Sequence, residues 1–140
     1  MSEIRDHRDL EAWQVAMDAV LETYNVTADL PRTETYGLTA QMRRAVVSVP
    51  SNIAEGQARK GRAALNHLSI ALGSFAELDT QLEVAIRLAY VSRARAVALQ
   101  KLIDSGRRLL HGLHRAKRRH LAHSVAAPTG VLLATLSWLV

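Results

Sequence analysis

Between residues 63 and 90 the apolar side chains Leu65, Leu68, Leu72, Phe75, Leu82, Ile86 and Ala89 return at three-, four- and seven-residue steps, a heptad-like pattern. That step has the period of an α-helix, and it excludes a strand, whose side chains alternate every second residue. Three further stretches carry the same step. Residues 9–30 present Leu10, Trp13, Met17, Val20, Tyr24 and Thr27; residues 38–59 present Leu38, Met42, Ala45, Val46, Val49 and Ile53; residues 93–120 present Leu99, Leu102, Ile103, Gly106, Leu109, Leu110 and Leu113. Only 7 glycines and 3 prolines punctuate 140 residues, and aromatics make up 4%. Little is therefore available for turns or sheets, and the expectation is an all-α, antiparallel up-down-up-down four-helix bundle over residues 1–123.

The breaks between the stripes are short. Asp9 is placed to cap the first helix, Pro31 ends it, and a polar linker runs to Tyr36-Gly37. Pro50 lies inside the second stripe, where it predicts a kink or a break with Ser48 or Asn52 serving the freed backbone groups. Arg59-Lys60-Gly61-Arg62 reads as a basic turn. After His123 a small-residue linker (124–130) with Pro128 leads to an apolar tail (131–140) ending in Trp138, Leu139 and Val140, either docked on the bundle or inserted into a partner.

The third stretch carries a second apolar stripe, Ile70, Leu78, Ala85 and Leu88. One wet side is expected of a helix in a single small bundle, so this stripe predicts an oligomer contact, with packing inside the same chain as the alternative. Asp79 falls within the first stripe, where a buried carboxylate needs a partner; Arg43 and Arg44 are the candidates.

Eighteen Lys and Arg against thirteen Asp and Glu give a net charge of +5. The excess is segregated: from Arg87 onward there are ten basic residues and one acid, Asp104. Lys101, Arg108 and Arg115 follow one another at seven-residue steps opposite the apolar face, and Arg118 and Arg119 extend the row. Such a row, with Arg59, Lys60 and Arg62, can neutralise the phosphates of DNA or RNA without reading bases, since neither stacking aromatics nor a base-reading module accompanies it. A solvated cationic face with no partner is the alternative.

Other chemistries find less support. Cysteine is absent, which removes thiolate metal sites and nucleophiles and suits a reducing, cytoplasmic setting. His111, His114, His120 and His123 form two pairs about 180° apart on a helix, so one ion cannot gather them and no metal is expected. No phosphate loop or nucleophile elbow occurs, no cofactor is called for, and no apolar run reaches the roughly 20 residues of a membrane span. The charged start gives no sign of a signal peptide. Arg62-Ala-Ala-Leu-Asn-His67 and Arg115-Ala-Lys-Arg-Arg-His120 share the R-x4-H spacing of the helical ribonuclease domains called HEPN, in which Arg would stabilise an anionic phosphorane and His move a proton. The surrounding sequence does not otherwise match, and a non-enzymatic protein is expected.

Longer strings are more specific. Asp9-Leu10-Glu11-Ala12-Trp13-Gln14, Tyr36-Gly37-Leu38-Thr39, Gln41-Met42-Arg43-Arg44-Ala45-Val46-Val47-Ser48-Val49-Pro50-Ser51-Asn52-Ile53-Ala54-Glu55-Gly56 and Ala71-Leu72-Gly73-Ser74-Phe75-Ala76-Glu77-Leu78-Asp79-Thr80-Gln81-Leu82 resemble the four-helix-bundle proteins encoded in bacterial 23S rRNA intervening sequences. That family includes the accessory variability determinant proteins of diversity-generating retroelements. The resemblance implies homopentameric assembly and, for the accessory members, nucleic-acid binding beside a reverse transcriptase. It attaches no catalytic role to any matched residue. Arg43, Asn52, Glu55 and Asp79 are read as a structural polar network.

Overall fold

The structure, a computed structural model, describes residues 6–126. Within them the chain forms a short 3-10 turn and four α-helices, α1 (Glu11–Thr27), α2 (Leu38–Ala58), α3 (Gly61–Arg87) and α4 (Arg93–Ala126), with a second 3-10 turn, Arg32–Glu34, between α1 and α2. No strand occurs among the described residues. Each helix packs on its neighbours in the order α1–α2–α3–α4–α1, and the diagonal pairs make no close backbone approach. Short connections between sequential, adjacent helices make this an up-down-up-down four-helix bundle, as expected.

The core runs through the centre. Met42, Val46, Val49, Ile53, Leu68, Phe75, Leu78, Leu82, Leu99, Ile103 and Leu110 are fully buried. Each large aliphatic among them contributes about 1.5–3 kcal/mol relative to exposure. Two close approaches set the helix spacing. Gly56 lies over Leu68, where an added Cβ would sit 3.0 Å from Leu68 Cδ2; at Gly106 it would meet Phe75 Cζ at 2.6 Å.

Several local expectations are corrected. Asp9 does not cap α1: the N-cap position is Leu10, and it is Asp6 that accepts from the Arg8 amide, at 2.9 Å, in the 3-10 turn before the helix. The face that α1 buries is Ala12, Ala16, Ala19, Thr23, Val26 and Thr27, leaving Trp13 and Val20 at its edges and Tyr24 exposed. Small side chains let α1 lie close to its neighbours, and Thr23 and Thr27 keep their hydroxyls satisfied by donating back to the Ala19 and Thr23 carbonyls, both at 2.7 Å. Pro50 does not break α2, which continues from Leu38 to Ala58 with the proline ring buried. Its missing N–H orphans the Val46 carbonyl. The carbonyls just beyond accept from side chains: Ser51 donates to Val47 at 2.8 Å and Asn52 to Ser48 at 2.8 Å. α2 starts under Glu34, whose Oε2 accepts from the Leu38 amide at 2.8 Å.

α3 stops earlier than the stripe suggests. Its chain turns out at Ala89, whose φ of 61° is left-handed. A non-glycine residue there costs about 1 kcal/mol. α4 runs through Ser124, Val125 and Ala126, three residues past the expected start of the linker. The remaining linker and the tail, 127–140, lie outside the described residues. No helix among the described residues is long and apolar enough to cross a membrane.

Candidate nucleic-acid interface

α4 builds the site. Its inward face, Ala96, Leu99, Ile103, Gly106 and Leu110, is buried. At 100° per residue, Lys101, Arg108, Arg115 and Arg119 fall within about 40° of one another on the opposite side, with Arg118 flanking them. All five are exposed. Arg107, Arg108, His111 and Arg115 line an open depression of about 420 Å³ with Asp104 at its margin.

Ion pairing divides the cations of α4. Arg93 meets Glu83 at 3.2 Å, Arg95 meets Glu22 at 2.8 Å and Asp29 at 3.3 Å, and Arg107 meets Asp79 at 3.5 Å. Hydrogen bonds from Arg93 and Arg87 hold the Glu83 carboxyl below its ordinary pKa, and the bond to Glu22 raises that of Arg95. By contrast, Lys101, Arg108, Arg115, Lys117, Arg118 and Arg119 pair with no carboxylate among the described residues. The first group ties α4 to α1 and α3. The second offers uncompensated charge to solvent.

The basic turn lies at the same end of the bundle as the second group. Arg59, Lys60, Lys117 and His120 rim a cleft of about 790 Å³ between the α2–α3 turn and the far part of α4. Arg59 is paired with Glu55 at 3.2 Å, while Lys60 and Arg62 are exposed. Lys117 is a cation that the seven-residue row misses. It falls on the inward side of α4, where the apolar series ends at Leu113, and that change from leucine to lysine is the signal that marks it.

Other expected groupings separate. Arg43, Asn52, Glu55 and Asp79 do not form one network. Arg43 donates to Thr27 Oγ1 at 2.9 Å and stacks 4.5 Å from the centre of the Tyr24 ring. Asn52 reaches Ser48 Oγ at 3.1 Å and His67 Nδ1 at 3.0 Å, and Ser48 Oγ in turn meets Ser74 Oγ at 2.9 Å, a polar seam between α2 and α3. Asp79 meets neither Arg43 nor Arg44. It sits half-buried at the α3–α4 edge and accepts from Gln100 at 2.9 Å as well as from Arg107. Leu78 and Ala85 are likewise corrected: both are fully buried inside the single chain and cannot face another. On α3 the outward line is Ile70, Val84 and Leu88, with exposures of 43%, 41% and 53%.

The R-x4-H pairs do not converge. Five residues along a helix turn the side chain by about 140°, so Arg62 points away from His67, and Arg115 from His120. Among the described residues no cluster of His, Asp and Glu is arranged to hold a metal ion.

The fold is that of a small all-α four-helix bundle whose longest helix, α4, is cationic. Residues 8–112 match the 23S rRNA-intervening sequence proteins, and the chain belongs to that family. Its fold is similar to the 1.70 Å crystal structure of a protein of unknown function from the S23 ribosomal protein family of Bacteroides thetaiotaomicron, with 23% identity and a TM-score of 0.67 over 74% of this chain and 95% of that one. No curated protein matches the chain. The family match ends before Arg115, Lys117, Arg118 and Arg119, so the uncompensated end of α4 lies outside the matched region.

Proposed function

We propose that this protein is a non-enzymatic, cytoplasmic, self-associating scaffold that holds DNA or RNA by its phosphates along α4. The observation that carries the reading is the exposed row Lys101, Arg108, Arg115, Arg118 and Arg119, which has no carboxylate partner among the described residues on a helix whose other arginines are paired. A straight helical row neutralises successive phosphates and releases their counterions, which yields affinity that is strong at low salt and indifferent to sequence. Self-association, pentameric by family resemblance, is supported by the outward apolar line of Ile70, Val84 and Leu88. An accessory role beside a reverse transcriptase rests on that resemblance as well.

The test is titration of a labelled duplex at several salt concentrations. Binding at low salt, abolished by Arg108→Glu/Arg115→Glu/Arg119→Glu, supports the reading. Absence of binding, or binding that survives the reversal, contradicts it. RNA held with the protein stays intact; cleavage lost in His67→Ala or His120→Ala would instead make it a nuclease.

A further inference from the structure

Past Leu113, α4 outruns α1 but stays beside α3, whose Ser69 meets His114 at 3.2 Å and whose first residue, Gly61, lies next to Leu121. α1 begins at Glu11, at the level of Leu113, and no α4 residue beyond Leu110 is fully buried. Leu113, Ala116 and Leu121, together with Leu10 and Ala64, line the cleft of about 790 Å³ at this end, interleaved with Lys117, His120 and Ser124 of α4. A cleft with apolar side chains along one open helix lacks a neighbour on that side.

The chain supplies a segment of matching chemistry and length. After Ala126, Pro128 and Gly130 stand in a four-residue stretch that reaches at most about 14 Å. Residues 131–140 follow with eight apolar side chains and no charge, and Leu132, Leu136 and Leu139 keep the i, i+4, i+7 step of a helix face. Ten helical residues span about 15 Å; the cleft side of α4 from Leu113 to Ser124 spans about 16 Å. Ser124 itself lines the cleft, two residues before α4 ends, so the segment starts beside the trough that it would fill. The segment carries no acidic side chain to pair with Lys60 and Lys117, which line the same cleft.

We propose that residues 131–140 fold back and seat in this cleft of their own chain, taking the place beside α4 that α1 leaves open. The inference is independent of nucleic-acid binding.

The chain has no cysteine, so engineered thiols report without background. Ala116→Cys with Leu136→Cys is oxidised mildly at about 10 μM, alongside Ala94→Cys with Leu136→Cys, whose partner lies in the first turn of α4. A short tether sets a millimolar effective concentration, so the cleft pair closes within one chain about 100-fold in preference to between chains and at least roughly tenfold faster than the control. Equal rates for the two pairs, or a product of doubled mass, would overturn the proposal, the latter assigning the cleft to a second copy. In a Trp13→Phe background Trp138 is the sole tryptophan. Its emission is expected to be blue-shifted, and to move to the red in Ala116→Arg while helical circular dichroism is unchanged; emission that Ala116→Arg leaves in place would contradict the proposal.

Discussion

From Arg93 to Leu110, α4 has α1 on one side and α3 on the other; from His111 onward it passes the start of α1 and keeps α3 and the α2–α3 turn beside it, with Ser69 at His114 and Gly61 near Leu121. The first part buries Leu99, Ile103 and Leu110 and holds Arg93, Arg95 and Arg107 in ion pairs. The second part buries no residue fully and carries Arg115, Lys117, Arg118 and Arg119 without a described carboxylate partner. One continuous helix thus performs two jobs. Where it is packed, Arg93, Arg95 and Arg107 are tied to its neighbours, while Lys101 and Arg108 point outward without a carboxylate partner among the described residues. Where it is not, the charges remain available, and tertiary contacts no longer supply most of its helical stability.

The contrast is broken most directly by cavity formation. Leu99→Ala should cost about 2–5 kcal/mol, because its fully buried site cannot collapse. Val125→Ala, at a site 79% exposed, should stay within about 0.5 kcal/mol. Urea denaturation of both variants reads the difference; a similar loss for the two would show that the far part of α4 is as packed as the near part.

The two glycines of α4, one inward and one outward, sharpen it further, since the same substitution should change sign. Gly106→Ala pushes a methyl group to 2.6 Å from Phe75 Cζ and should destabilise by about 1–3 kcal/mol. At Gly112 the nearest atom is Arg115 Nη2 at 4.0 Å, and alanine there should stabilise by up to about 1 kcal/mol through helix propensity. Thermal melts suffice to check both.

The smallest expected effect concerns the paired arginines. Glu83 is held below its ordinary pKa first by its hydrogen bond from Arg93, then by that from Arg87. A depressed carboxylate contributes stability above its unfolded pKa, near 4.3, and loses it as pH falls through the lower folded value. Arg93→Gln should move the Glu83 titration back toward the ordinary range, followed by NMR of its side-chain carboxyl. An unmoved titration would remove Arg93 from the contact.

What the sequence reveals follows from how strongly each residue marks its surroundings. The leucine stripes of α3 and α4 place the core because burial of large aliphatics dominates helix orientation, and the seven-residue step of Lys101, Arg108 and Arg115 places the outer row by geometry alone. The buried face of α1 is harder to read: Ala12, Ala16 and Ala19 are weak markers beside Trp13 and Tyr24, and only close packing turns them inward. Leu78 and Ala85 resemble an outer stripe because α3 has two neighbours, α2 and α4, and therefore a wide apolar arc. The partner of Asp79 is a tertiary matter. Arg107 and Gln100 lie 28 and 21 positions away, and no local spacing singles them out. The same holds for Glu34, which reaches both the Leu38 amide and, at 3.3 Å, the Tyr90 hydroxyl.

The central claim, that the outward row of α4 contacts phosphates, is tested most directly by the salt dependence of duplex binding. Replacing Arg108, Arg115 and Arg119 together by glutamine should lower the magnitude of the log–log slope by about 2.7 per bound subunit, three contacts at about 0.9 each. A slope identical to that of the unsubstituted protein would contradict the account.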